Sequence, residues 1–111
     1  MMDNDRYSNL YIVSVEVHAK PGSEMWGNAI GGFLYCVVPE EDAEKAIKST
    51  RIALEEDNYE IKQIEEAIKF ENMAWESEEV EIDYKKLAFK ATRTKDVHYG
   101  PFFIYESDDD G

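Results

Sequence analysis

The stretch LYIVSVEVHA at residues 10–19 places Tyr11, Val13, Val15, Val17 and Ala19 on one side and Ser14, Glu16 and His18 on the other. A side-chain period of two, with β-branched residues at the apolar positions, marks a strand with one buried face. AIGGFLYCVV at 29–38 is apolar at both parities, as an inner strand requires. Between them, KPGSEMWGN carries Pro21, Gly22, Gly27 and Asn28 and reads as a loop. The two strands therefore form a hairpin with a long connection, and whatever else the chain does must cover it.

The period then changes. In PEEDAEKAIKSTRIALEEDN, residues Ala43, Ala46, Ile47, Thr50, Ala53 and Leu54 share one helical face. Pro39 near the start, with Glu40, Glu41 and Asp42 in the first turn, suits the positive end of a helix dipole. Glu41/Lys45 and Glu44/Lys48 are spaced for surface pairs, and Asn58 is a terminator. YEIKQIEEAIKF (59–70) fits two periods: Tyr59, Ile61 and Gln63 alternate, whereas Ile61, Ile64 and Ile68 follow a helical face. A strand is expected, because a helix has just ended and Ile-rich segments suit sheets. Residues 71–79 read as irregular acidic surface. Helical spacing returns with Val80, Tyr84, Leu87, Ala88 and Ala91, and GPFFIYE (100–106) is a final strand apolar on both faces.

The order ββαβαβ predicts a single α+β domain over residues 1–111, with flexible ends at about 1–9 and 107–111. The expected architecture is a two-layer sandwich: a mostly antiparallel four-stranded sheet with two helices on one face. It resembles the broad ferredoxin-like class of architectures in a variant order that starts with a hairpin. That likeness brings no functional residues, because such folds host many unrelated activities. Helices on one side leave the second face of an all-apolar strand bare. The long hairpin loop, a second subunit or a partner is expected to cover it.

Charge narrows the partners. Twelve Lys and Arg stand against 25 Asp and Glu, a net charge of −13. Such a chain repels phosphate backbones and anionic lipid, so neither nucleic acid nor membrane is expected, and it steers basic proteins toward itself. The single Cys36 forms no internal disulfide and suits a reducing compartment. The start, MMDNDRYSNL, lacks the basic-then-apolar layout of a secretion signal, and no apolar run approaches the ~20 residues that cross a bilayer. A cytoplasmic location is expected.

Motifs for chemistry are sparse. The loop glycines lack the spacing and lysine of a phosphate-binding loop. Asp108, Asp109 and Asp110 lack the alternation and turn glycine of a calcium loop. No cofactor, metal or catalytic residue is expected. Two readings of the remaining residues differ in class. In the first, an interaction protein meets a basic protein, for example as an immunity-type inhibitor. Its contacts come from Met25 and Trp26 at the hairpin tip, Trp75, and the acids Glu40, Glu41, Asp42, Glu55 and Glu56. Between Glu40 and Asp83 there are sixteen acids and five bases; between Tyr84 and Tyr99 there are five bases and one acid. Lys85, Lys86, Lys90 and Arg93, clustered with Phe89, thus offer a surface for self-association, a homodimer, against the acidic segment. In the second reading, a ligand-binding or enzymatic dimer encloses a pocket of His18, Tyr35, Cys36, His98 and Tyr99 between apposed sheets. A stand-alone domain of unassigned role is the third.

Overall fold

The computed structural model describes residues 8–105. The strands are β1 (Tyr11–Ala19), β2 (Gly31–Val38), β3 (Tyr59–Lys69), β4 (His98–Tyr99) and β5 (Phe103–Tyr105). The helices are α1 (Ala43–Glu56) and α2 (Glu78–Thr94), and a 3-10 turn spans Phe70–Asn72. The five strands form one antiparallel sheet in the order β3-β1-β2-β4, with β5 also pairing β2. The fold is mixed α+β, with an open sheet and two helices. The predicted flexible ends fall, apart from Ser8 and Asn9, outside the described residues, as do Glu106 and the three terminal aspartates.

β1 lies between two neighbours, so both of its parities are loaded. Val13, Val15 and Val17 stand with Leu34, Cys36 and Val38 of β2 in one buried cluster, and α1 closes that cluster with Ala46 and Leu54. Ile12 and Val37, of the opposite parity, join Leu10 and Phe70 in a second cluster closed by Tyr84, Ala88 and Ala91 of α2. Successive residues of a strand face opposite sides of the sheet, so the two helices lie on opposite faces. This corrects the expectation of both helices on one face. The larger core is a two-layer packing of α1 on the sheet, and α2 adds cover at one end of the reverse side.

The topology explains why. β2 and β3 are both antiparallel to β1 and hence parallel to each other, so α1 is a crossover between parallel strands. β4 is antiparallel to β2 and therefore to β3. The handedness rule that places crossover helices does not govern a connection between antiparallel strands, and α2 is free to cover the other face.

Local chemistry accounts for the boundaries. Asp42 is the N-cap of α1, its carboxylate accepting from the Lys45 amide at 2.8 Å, so Glu40 and Glu41 precede the helix rather than occupy its first turn. Asn58 ends the connection with φ 68°, a left-handed conformation that asparagine tolerates. Ser77 caps α2 by accepting from the Val80 amide. Strand β2 begins at Gly31 rather than residue 29. Of the strand expected at 100–106, Phe103–Tyr105 forms among the described residues; a separate two-residue strand, His98–Tyr99, precedes the break at Gly100-Pro101-Phe102. Proline has no amide for the ladder.

β3 resolves the ambiguous segment. Its register with β1 shifts twice, between Ser14 and Val15 and between Glu16 and Val17, so Ile61, Ile64 and Ala67 oppose Val17, Val15 and Val13 on one face. Each bulge inserts a residue, which converts a period of two into apparent steps of three. The spacing of Ile61 and Ile64 is the imprint of these bulges, whereas Ile68, opposite Ile12, lies on the other face.

Leu54 is fully buried, while Ile52, on the same helix, is exposed. Leu54→Ala should therefore cost about 2–5 kcal/mol, and Ile52→Ala within about 0.5 kcal/mol of nothing, when urea unfolding midpoints are compared.

Candidate partner-docking groove

The reverse face of the sheet is covered only in part. Along β2, Phe33, Tyr35 and Val37 share that face; α2 reaches Val37 and leaves Tyr35 and Phe33 at the surface. The chain between the 3-10 turn and Ser77 then brings Trp75 onto Tyr84, stacked at 5.0 Å and 22° between planes. Phe70 packs on Trp75 at 5.5 Å, and Tyr35 meets Tyr84 edge-on at 5.9 Å. Pro101 and Phe103 close the opposite wall. The result is an aromatic groove of about 180 Å³, completed by Met73, Val80 and Leu87, whose charged lining residues are Glu76 and Asp83. Gly100 is needed here, because a Cβ at that position would overlap the Tyr84 ring.

The aromatic surface continues past the groove. Phe33 packs against Tyr105 at 5.8 Å, and the Tyr105 hydroxyl donates to the Glu16 carboxylate. His18 meets the Tyr105 ring edge-on at 6.1 Å. Phe103 and Ile104 are 63% and 55% exposed at the strand that bounds this surface. Large apolar side chains held in a row beside a concavity are the usual anatomy of a contact site.

The residues expected from sequence distribute as follows. Met25 is buried in the α1-side cluster, where it plugs the open end of the hairpin, so its reading as a contact residue is corrected. Trp26, beside it, is 54% exposed next to an open hollow lined by His18, Asn28, Ile30 and Glu60. Trp75 is half-buried as a groove wall rather than a free anchor. Glu40 accepts from the Ser49 hydroxyl at 2.7 Å, Glu41 pairs with Lys45, and Asp42 is occupied as a cap. Glu55 and Glu56 are exposed at the end of α1.

On α2, Lys85 pairs with Glu81 at 3.2 Å, and Lys86 and Lys90 are exposed. Phe89 is 63% exposed with the Arg93 guanidinium 5.4 Å from its ring centre. An aromatic sits among the bases because it and Arg93 form a cation–π pair one turn apart, rather than because it packs on a neighbouring loop.

The residues expected of the second pocket fall on both faces of the sheet. Tyr35 and His18 lie on the reverse face; Cys36 lies on the α1 side, where Tyr99, its register partner, donates its hydroxyl to Asp57 at 2.7 Å. His98 pairs with Val37, which pairs with Ile12, and lies 2.9 Å from the Thr94 hydroxyl. His18 is six residues further along β1, about 20 Å away at the rise of a strand. Among the described residues, no three His, Cys, Asp or Glu side chains group as a metal site.

The groove itself was missed in the sequence, although a signal existed. Met73 and Trp75 are the apolar residues of the acidic stretch ENMAWESEE, and large apolar groups in such a setting need a surface to rest on. No helix among the described residues is long and apolar enough to cross a membrane. Comparison of the chain with protein-family profiles, with curated proteins and with solved structures finds no match.

Burial pushes the Cys36 thiol from 9.0 up to about 12. Burial, helped by Tyr35 nearby, pushes the Tyr84 hydroxyl from 10.0 up to about 12. The folded state thus keeps protons that the unfolded chain releases first. Their contribution to stability should be complete below pH 9.0 and disappear as pH rises toward about 12. Urea midpoints measured across that range should fall. Native Cys36 should resist thiol reagents at neutral pH and react on unfolding.

Proposed function

We propose that this chain is a non-catalytic interaction protein that docks a positively charged protein on the aromatic groove and its acidic surroundings. The observation that carries the reading is the groove: aromatic walls supply desolvated contact area, and the charged residues lining it, Glu76 and Asp83, are both acids. The net charge of −13 extends the same sign to long range and favours steered encounter with a basic surface. In its most concrete form the protein is an immunity-type inhibitor that covers a basic enzyme such as a nuclease, with carboxylates standing where phosphates would lie.

Two features argue against the other readings. Cys36 is buried with its thiol held protonated, and the two histidines sit far apart, so the pocket of a ligand-binding or enzymatic dimer loses its members. The basic face of α2 is weakened as a self-association surface because Lys85 and Arg93 are engaged within their own helix. For the fold, we propose that any ferredoxin-like likeness is confined to the hairpin and the α1 crossover.

The test is kinetic. A partner captured from an extract on the immobilised chain is identified by mass spectrometry, and its association rate is then measured by stopped flow. Between about 50 mM and about 500 mM salt the rate should fall at least about tenfold. Glu76→Lys with Asp83→Lys should slow it at low salt by about as much, whereas a rate indifferent to salt and to these changes would overturn the proposal. Reversing Asp42 is a poor choice of variant, because removing this cap should itself cost about 1 kcal/mol of stability.

A further inference from the structure

The two edges of the sheet are built differently. β3 is an edge strand of 11 residues that carries Glu60, Lys62, Glu65 and Lys69 and is bent by its two bulges. Charges and bulges are the devices that keep an edge from pairing with another chain. β5, at the other edge, is Phe103-Ile104-Tyr105, with no charge and no bulge.

The ladder phase shows which groups this edge presents. Just before β2, Ile30 bonds both ways: its carbonyl accepts from the Ala19 amide of β1 at 2.8 Å, and its amide donates to the Tyr105 carbonyl of β5 at 3.0 Å. Within β2, the Gly100 amide donates to the Tyr35 carbonyl at 2.8 Å, so odd-numbered residues bond toward β4 and β5. Phe33 therefore bonds with its register partner Phe103, while Ile104, opposite Gly32, turns its N–H and carbonyl away from β2. Among the described residues no strand pairs with that side of β5.

We propose that β5 is the site at which a cationic, extended segment of the partner protein adds as a further strand. The inference rests on the interaction reading above and names the form of its partner. Ile104 supplies backbone bonds. Alternate side chains of the incoming strand fall on the reverse face beside Phe103, where one enters the groove against Tyr35 and Trp75. Lysine or arginine two residues from that anchor, on the same face of the strand, meets Glu76 and Asp83. A second copy of this chain suits the edge poorly, because it brings the same net charge of −13 and β5 holds no cation.

The probe is a synthetic peptide of about nine residues that alternates lysine with valine around a central phenylalanine, compared with its glutamate-for-lysine counterpart. The lysine peptide should bind saturably, protect the Ile104 amide from hydrogen exchange and shift the Trp75 indole resonance; the glutamate peptide should not. Ile104→Pro removes an outward amide, which an edge tolerates, and should weaken binding at least about tenfold with the β1 amides unchanged. Phe103→Lys, at an exposed side chain, should weaken it similarly by blunting the edge. Equal binding of both peptides, no response at residues 103–105, or full affinity in Ile104→Pro would overturn the proposal. So would a dimer, seen by sedimentation without peptide, that Ile104→Pro dissolves. A folded basic partner whose salt-dependent binding survives Ile104→Pro would remove the strand addition and leave the interaction reading standing.

Discussion

Everything in this molecule depends on β1 being flanked on both sides. An edge strand can leave one face wet, but a strand between two neighbours, apolar at Val13, Val15 and Val17 and again at Ile12, needs cover above and below. At roughly 25 cal/mol per Å² of apolar area, a bare face of this kind is a large loss. α1 answers for one side and α2 for the other. Among the described residues there are two α-helices, one for each face.

The proposed docking surface is the remainder of that arithmetic. α2 crosses the reverse face near Leu10, Ile12 and Val37, touches Tyr35 only through the edge of Tyr84, and leaves Tyr35 and Phe33 exposed. The aromatic residues at that margin are held by one another: Trp75 and Tyr35 on Tyr84 of α2, and Tyr105 on Phe33 and bonded to Glu16. Aromatic side chains suit this position because few rotamers are lost on contact and their faces and edges fit one another. Glu76 and Asp83 are the charged residues beside them.

Much of this was readable in advance where one local rule acted alone. The alternation of 10–19, the helical stripe of Ala46, Thr50 and Leu54, and the stripe of Tyr84, Ala88 and Ala91 each matched their elements. Reading failed where two rules met. Ile61, Ile64 and Ile68 read as a helical face, yet Ile61 and Ile64 share one face with Ala67 while Ile68 lies on the other, because the bulges that set this exist only once β3 is laid against β1. Met25 and Trp26 looked alike in their loop, yet one fills the core and the other faces water. Their different fates follow from the direction in which the turn between Ser23 and Asn28 aims each side chain.

By itself the amino-acid order determined the first two strands, the two helices and the sign of the net charge, since these follow from composition and from contacts a few residues apart. Which face each helix covers, which strand edge stays open and which aromatics meet were decided by tertiary structure. Those outcomes depend on whether β4 runs parallel or antiparallel to β3, and that is settled by pairing with β2, a strand about sixty residues away in the chain. No local pattern carries information across such a separation; only the closure of the sheet does.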